Sequence, residues 1–525
     1  MAKTLVSSPD PIFLEPPPMD SSQEDSSHQH DQASRTPTHS SKMPFLNGFR
    51  RKPKRSLSLR SMLTPEKPVG EAPGFWQGMK TILFGSWLNI LLICIPLSWG
   101  FNWGMNDNHV LVFVFSFLAI IPLAKLLSLA TDELSMRVGQ TLAGLLNATL
   151  GNAVELIVAI IAILKCELQV VQSSLIGSIL SNLLLVLGMC FFAGGTRFQE
   201  QGFGASASQI NSSLLTLSVI AVLLPGAFHL AVQPDATNPD EDPLTNGQEG
   251  EDIKKLSHGV AIILLFIYFS YLVFQLWSHA SLYDDKHKDN FVSTRYDPET
   301  SAVVEKVKSK LNYRSSKKQN GGGSSSAPGS ENGSENGNGA QDLGAREEQK
   351  EEEEEEEKPS MSLPMCIVLL IVVTVLVAVT AEWLVDSIDG VTSSGSGISK
   401  EWVGLILLPI VGNAAEHVTA VTVSVKDKLT LSIGVAVGSS IQIALFVIPL
   451  MVVIAWGLGK PLLLLFDPFE SVTLFLAVLT VNYVVADGKS NWLEGMILMC
   501  LYLIIAVSFW FYPGSDIANV LATCT

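Results

Sequence analysis

Gly151-Asn152-Ala153-Val154-Glu155 and Gly412-Asn413-Ala414-Ala415-Glu416 are two copies of one short block, about 260 residues apart, each set inside an apolar segment. Each is followed, 26 residues after its first glycine, by a Gly-Ser pair, Gly177-Ser178 in one copy and Gly438-Ser439 in the other. A charged residue at the centre of a membrane-crossing helix costs roughly 2.5–3.5 kcal/mol on insertion scales. Two such glutamates in one sequence context point to a single site assembled from two halves. The match extends upstream, where Ala130-Thr131-Asp132-Glu133-Leu134 resembles Thr380-Ala381-Glu382-Trp383-Leu384 and pairs Asp132 with Glu382. The spacing to the block differs because the second copy carries an extra loop, Asp389 to Lys400.

The 525 residues are 47% hydrophobic and only 16% charged, with a mean hydropathy of +0.34. Those averages combine long apolar runs with long polar ones, the pattern of a membrane protein. The net charge of −16 sits largely in connecting segments, Glu351 to Glu357 and Asp235 to Asp252. Six scattered cysteines form neither a CxxC pair nor a Cys/His cluster, so neither a disulfide framework nor a zinc site is expected. The chain has no GxxxxGK[ST] run, no aspartyl-phosphate cassette and no nucleophile–base constellation. Primary pumping, enzymatic catalysis and a bound cofactor are therefore not expected, nor is a nucleic-acid partner.

Apolar runs long enough to cross a bilayer occur eleven times, at about 80–100, 109–131, 140–164, 170–194, 208–230, 257–279, 361–386, 402–424, 430–456, 461–486 and 492–512. Residues 1–75 lack the apolar surface to fold alone and have no signal-peptide core, so they read as a disordered cytosolic region. Their basic cluster, Arg50 to Arg55, reads as a topology-fixing flank. Residues 76–279 hold six helices, 280–360 form a linker with the acidic tract, 361–512 hold five helices, and 513–525 form a short tail. Lysine and arginine set the orientation. Arg137, Arg197, Lys426, Lys428 and Lys489 fall with the N-terminus in the cytosol, while Lys165, Lys400 and Lys460 are exceptions. The tail falls on the opposite side.

The count implies all-α architecture, with one extra N-terminal helix followed by two sets of five. Five is odd, so the second set enters the membrane upside down, and the two motif blocks start from opposite faces. That is an inverted-topology repeat, whose ligand site is expected near the midplane between the halves.

Residues three apart share a helical face, so Asn152 belongs beside Glu155 and Asn413 beside Glu416. The preceding glycines permit close helix approach or local opening of the backbone. Two carboxylates with amide and backbone oxygens make a ligand set for a hard divalent cation, and calcium takes six to eight oxygens in flexible geometry. Ser178, Ser181 and Asn182 follow the first block; Ser439, Ser440 and Gln442 follow the second. These serines serve equally well as ligands or as small packing residues. Gln442 corresponds to Ser181, so the site is pseudo-symmetric. Burial disfavours a charged carboxylate and a bound cation favours it, so metal and protons compete for the same oxygens. A carrier that crosses only when neutralised is an antiporter. His417 titrates near neutral pH and either tunes the site or packs on a neighbouring helix. Asp132, Glu382 and Asp386 read as access or proton-route acids, or as solvated helix ends.

The stretches GNAVELIVAIIAI…SSLIGSILSNLLLVLG and GNAAEHVTAVTVSVKDKLTLSIGVAVGSSIQIALFVIP closely resemble the paired repeats of the calcium/proton exchanger family, a branch of the calcium/cation antiporters, here of fungal vacuolar type. The resemblance covers about residues 75–512 apart from the 280–360 loop. It implies an eleven-helix fold and an ion site at Glu155 and Glu416, with roles for Gln442, His417, Asp132, Glu382 and Asp386. It also implies a carrier that moves cytosolic calcium into an acidic vacuole in exchange for protons, with Ca2+ and H+ as its substrates. The acidic tract Glu351, Glu352, Glu353, Glu354, Glu355, Glu356 and Glu357 matches a segment that gathers or senses calcium at the cytosolic face in that family; by composition alone it reads as a solvated charge run. Alternative readings are a sodium-coupled exchanger, a broader divalent-cation exchanger and a cation channel. Ile443 standing where the first repeat has Asn182 weighs against sodium coupling, and the doubled glutamate weighs against a channel.

Overall fold

The computed structural model describes residues 69–104, 108–232, 247–283, 290–296, 359–392 and 397–514, together with Cys524. The basic cluster and the acidic tract Glu351 to Glu357 lie outside the described residues. In chain order, α1 (Phe75–Phe84) and α2 (Trp87–Gly104) form a first apolar unit bent by 84°. Then come α3 (His109–Ser135) and the pair α4 (Gln140–Leu150) and α5 (Ala153–Lys165), bent by 42° at the first motif. After α6 (Leu168–Gly195), α7 (Ala205–Val232) and α8 (Gly250–Ser278) the chain enters the second half. There α9 (Leu363–Thr392) precedes α10 (Lys400–Gly412) and α11 (Ala414–Val425), which bend by 56° at the second motif. α12 (Leu429–Gly457), α13 (Pro468–Val484) and α14 (Trp492–Trp510) complete it.

Every apolar run read from the sequence thus holds a helix or a bent pair. Among the described residues, seven single helices are long and apolar enough to cross a membrane, ten if each bent pair counts as one, and α13 is shorter. Large apolar side chains face outward: Phe266 and Phe269 on α8, Ile371 on α9, and Leu503 and Ile504 on α14 are more than half exposed. Lipid is the solvent for such a surface, because intrahelical bonds satisfy the backbone there. The helices α6 and α12 lie at the centre, with 83% and 72% of their apolar windows buried. Each contains a π turn, Ser181–Val186 in α6 and Ile443–Val447 in α12. Such turns shift the side-chain register and recur at functional sites.

Glycines bring the central helices to backbone contact. A β-carbon at Gly177 would overlap the Leu405 carbonyl of α10, and Gly188 on α6 faces Gly495 on α14. Gly177, half of the first Gly-Ser pair, is therefore a packing residue. Its counterpart Gly438 has open space around it.

Polar contacts fix which helix ends lie together. Arg137, just past α3, bonds Glu133 at 3.0 Å and donates to the Met361 carbonyl ahead of α9. Lys400, opening α10, pairs at 3.0 Å with Glu167 between α5 and α6. Gln201, just past α6, donates to the Ser424 carbonyl near the end of α11 at 2.8 Å.

Two expectations need correction. The fold is not purely helical: β1 (Phe198–Gly202), β2 (Thr294–Arg295) and β3 (Lys489–Ser490) form an antiparallel sheet in the order β2-β1-β3. These connecting segments satisfy one another's backbone groups where no helix does. A disulfide also joins Cys166 to Cys524, 358 residues apart. Cys166 ends α5 in the left-handed conformation, φ 64°, and no spacing rule in the sequence pairs it with the tail.

Candidate functional site

Each motif block breaks its helix at the Gly-Asn step. Asn152 (φ −99°, ψ 26°) separates α4 from α5, and Asn413 (φ −91°, ψ 4°) separates α10 from α11. The expected single-helix face joining Asn152 to Glu155 is therefore replaced by a junction. Each asparagine stands at a helix start and each glutamate in the first turn beyond it. Asparagine is a favoured helix cap, yet neither side chain caps its own helix. Helix N-termini favour negative charge, so both carboxyls sit where the backbone dipole helps them.

The two blocks meet crosswise. A β-carbon on Gly412 would lie 2.8 Å from Oε1 of Glu155, and one on Gly151 would lie 3.9 Å from Oε1 of Glu416. Each glutamate thus reaches the glycine of the other block, and an alanine at 412 would take space that the Glu155 carboxyl occupies. Asn152 Nδ2 donates to Gln442 Oε1 at 2.6 Å, linking the first block to α12. Ser439 Oγ donates to Glu416 Oε2 at 2.9 Å. Several buried polar atoms here have no hydrogen-bond partner: Asn152 Oδ1, Glu155 Oε1, Asn413 Nδ2, His417 Nε2 and Ser181 Oγ. Buried polar groups are normally bonded, so this concentration of unmet atoms around two carboxyls marks a place built for a ligand.

Two cavities flank the carboxyls. On one side a cavity of about 330 Å³ is lined by Asp132, Asn147, Gly151, Glu416, Ser439 and Gln442. On the other a cavity of about 30 Å³, room for little more than one water, touches Glu155, Ser174, Ser178, Leu408 and Pro409. The three access acids therefore separate. Asp132 lines the large vestibule, whereas Glu382 and Asp386 are half-exposed and share Lys165, at 3.2 and 3.0 Å. Matched by sequence, Asp132 and Glu382 serve unlike surroundings.

Among the described residues no three His, Cys, Asp or Glu side chains converge as a metal cage. A cation placed between Glu155 and Glu416 would have to take the rest of its shell from amides, hydroxyls, backbone carbonyls and water, which suits a large, flexible oxygen-seeking ion.

Beside Asn182, which the sequence placed after the first block, residues that the sequence did not single out also stand out. Asn182 is fully buried with both amide atoms unpartnered, and Tyr502 lies beside Ser181 with its hydroxyl unpartnered. Glu401, Asp467 and Glu470 are buried acids near the ends of α10 and α13. Glu470 falls inside the apolar run at 461–486, but the sequence Asp467-Pro468-Phe469-Glu470 reads as an ordinary helix start.

The model of the sodium/calcium exchanger protein family matches residues 108–277 and 365–511. A vacuolar calcium ion transporter of Cryptococcus neoformans var. grubii is 53% identical over 483 residues, covering 88% of this chain and 79% of its own length. A Ca(2+)/H(+) antiporter of Synechocystis sp. is 39% identical, covering 81% and 97%. Among solved structures, native YfkE superposes with a TM-score of 0.57 at 27% identity, over 81% of this chain and 99% of its own.

Proposed function

Because the chain belongs to the sodium/calcium exchanger protein family, we propose that it is a secondary antiporter that moves Ca2+ in exchange for protons, with Glu155 and Glu416 binding one or the other in turn. The observation that carries this reading is the crosswise fit, each motif glutamate lying against the glycine of the opposite motif. Two carboxylates neutralise one divalent ion or two protons, so each loaded state is close to neutral in a low-dielectric interior. The doubly charged site is the costly one. Gln442, Asn152, Asn413, Ser439, Ser178 and Ser181 supply the further oxygens, and His417 lies at the edge of the site.

Eleven crossings and two inverted sets of five helices fit the contacts at the helix ends. Lys400, where the second motif segment begins, lies at Glu167, just past the end of the first, so the two segments run in opposite directions. On that topology Asp132 and the large vestibule open to the cytosol. The Lys165–Asp386 and Lys400–Glu167 pairs close the far face. The relatives named vacuolar calcium ion transporter support a multi-pass protein of the vacuolar membrane; the lumenal C-terminus follows from the proposed topology alone. Glu351 to Glu357 would then stand on the side from which calcium is taken.

The test is calcium uptake into sealed vesicles carrying an imposed pH difference. Uptake should follow that difference and stop when it is collapsed. Uptake that continues without it and follows a sodium gradient would assign the chain to sodium coupling instead.

A further inference from the structure

A further buried carboxyl lies on the far side of the site from the vestibule, at the start of α13. Glu470 is 1% exposed, and its Oε1 has no hydrogen-bond partner. Asp467, three residues earlier, is fully engaged. Its Oδ1 accepts from the Phe469 and Glu470 amides at 2.8 and 3.3 Å, and the Tyr512 hydroxyl donates to its two oxygens at 3.2 and 3.0 Å. Glu401 is engaged by Gln169, and Gly514 lies against it. Of the three acids, only Glu470 keeps a free buried oxygen.

The charged groups that act on Glu470 are Asp467 of its own helix and Glu401 of α10, while α6 contributes the neutral Ser173. The nearby ammonium of Lys400 is taken by Glu167 and Asp389. A buried carboxylate without a cation beside it is costly, and the described acids do not form a metal cage. The ligand that suits one free carboxyl oxygen among acids is a proton. Ser173 lies beside Glu470, and its neighbour Ser174 lines the small cavity that reaches Glu155.

We propose that Glu470 is a further proton-binding carboxyl of the exchange path, beyond Glu155 and Glu416, on the side of Glu155 that faces away from the vestibule. Its carboxylate takes a proton from hydronium at the Asp467–Tyr512 end, leaving water and forming the neutral acid. It then gives that proton to water at the Ser174 end and returns to carboxylate, and no other bond changes. The proposal rests on the proton-exchange reading above.

The test reconstitutes the full chain in vesicles and varies the pH of the compartment opposite the vestibule while following 45Ca uptake and, separately, equilibrium Ca2+ binding. E470Q should bind Ca2+ as the parent does, transport on the order of tenfold more slowly, and lose the dependence on that compartment's pH. Parent-like dependence in E470Q overturns the proposal. If E470Q does not insert, E401Q decides. Removing the neighbouring negative charge weakens proton binding, so the pH midpoint should fall by roughly one unit, and an unmoved midpoint overturns it. Parent uptake indifferent to any pH difference instead rejects the exchange reading itself.

Discussion

Among the described residues the spacing Asn-x-x-Glu occurs at 152–155, at 413–416 and again at 491–494, each time opening a helix. In the third case the side chains serve the backbone. Asn491 Oδ1 accepts from the Leu493 and Glu494 amides at 3.0 and 3.1 Å, and Glu494 reaches back to the Asn491 amide at 3.3 Å. That is a closed capping box. In the other two, no cap bond forms: Asn152 turns to Gln442, and Glu155 and Asn413 keep unpartnered buried atoms. One local pattern has two settings, and what separates them is a glycine in front and a second copy of the block lying crosswise against the first. Polar groups withheld from the backbone are the groups left for a ligand.

Removing a carboxyl should widen that difference most. E155Q and E416Q each leave a site with one charge against a divalent ion, so pH-driven Ca2+ uptake should fall to background. Membrane insertion and elution as a folded species should persist. Near-parent uptake by either variant would remove that residue from the site. On the proposed reading, in which protons and Ca2+ share these oxygens, lowering the pH on the vestibule side should raise the apparent KM for Ca2+ and leave the maximal rate less affected.

Next in size is the glycine contact. G412A puts a methyl 2.8 Å from the Glu155 carboxyl oxygen. Alanine favours helix by about 1 kcal/mol over glycine, so stability should hold or rise while Ca2+ affinity falls on the order of tenfold, about 1.4 kcal/mol. G438A is the paired control, because its added carbon meets nothing within 4 Å. Equal effects from the two variants would break the crosswise arrangement. Q442A strands the Asn152 amide, a loss of about 1–3 kcal/mol, and should weaken Ca2+ binding more than it lowers thermal stability.

The apolar runs were readable because a membrane-crossing helix must satisfy its own backbone, which ties the element to a stretch of hydropathy. The motif was readable because a buried acid repeated in context is rare. What the sequence concealed depends on three-dimensional neighbours. Asp132 and Glu382 match by alignment, yet one lines the vestibule and the other meets Lys165. Gly177 and Gly438 match too, yet only Gly177 lies against another backbone. The halves share a pattern but not surroundings, so pseudo-symmetry predicts placement better than role. Cys166 and Cys524 lie too far apart in the chain for spacing to pair them, and Glu470 sits behind a helix-start signature that Asp467 alone fulfils.

The smallest expected effect is the sharpest test of the opening contrast, because it predicts opposite signs at equal spacing. N491A removes two cap bonds from α14 and should cost about 1 kcal/mol of stability, read as a slightly lower melting temperature, with Ca2+ uptake per folded molecule unchanged. N413A removes a buried amide whose Nδ2 has no partner, and deleting such a group relieves a desolvation penalty rather than breaking a bond. Its melting temperature should therefore hold or rise while Ca2+ uptake falls. If N413A instead melts lower and transports normally, Asn413 is a structural cap like Asn491, and the second block contributes its glutamate alone.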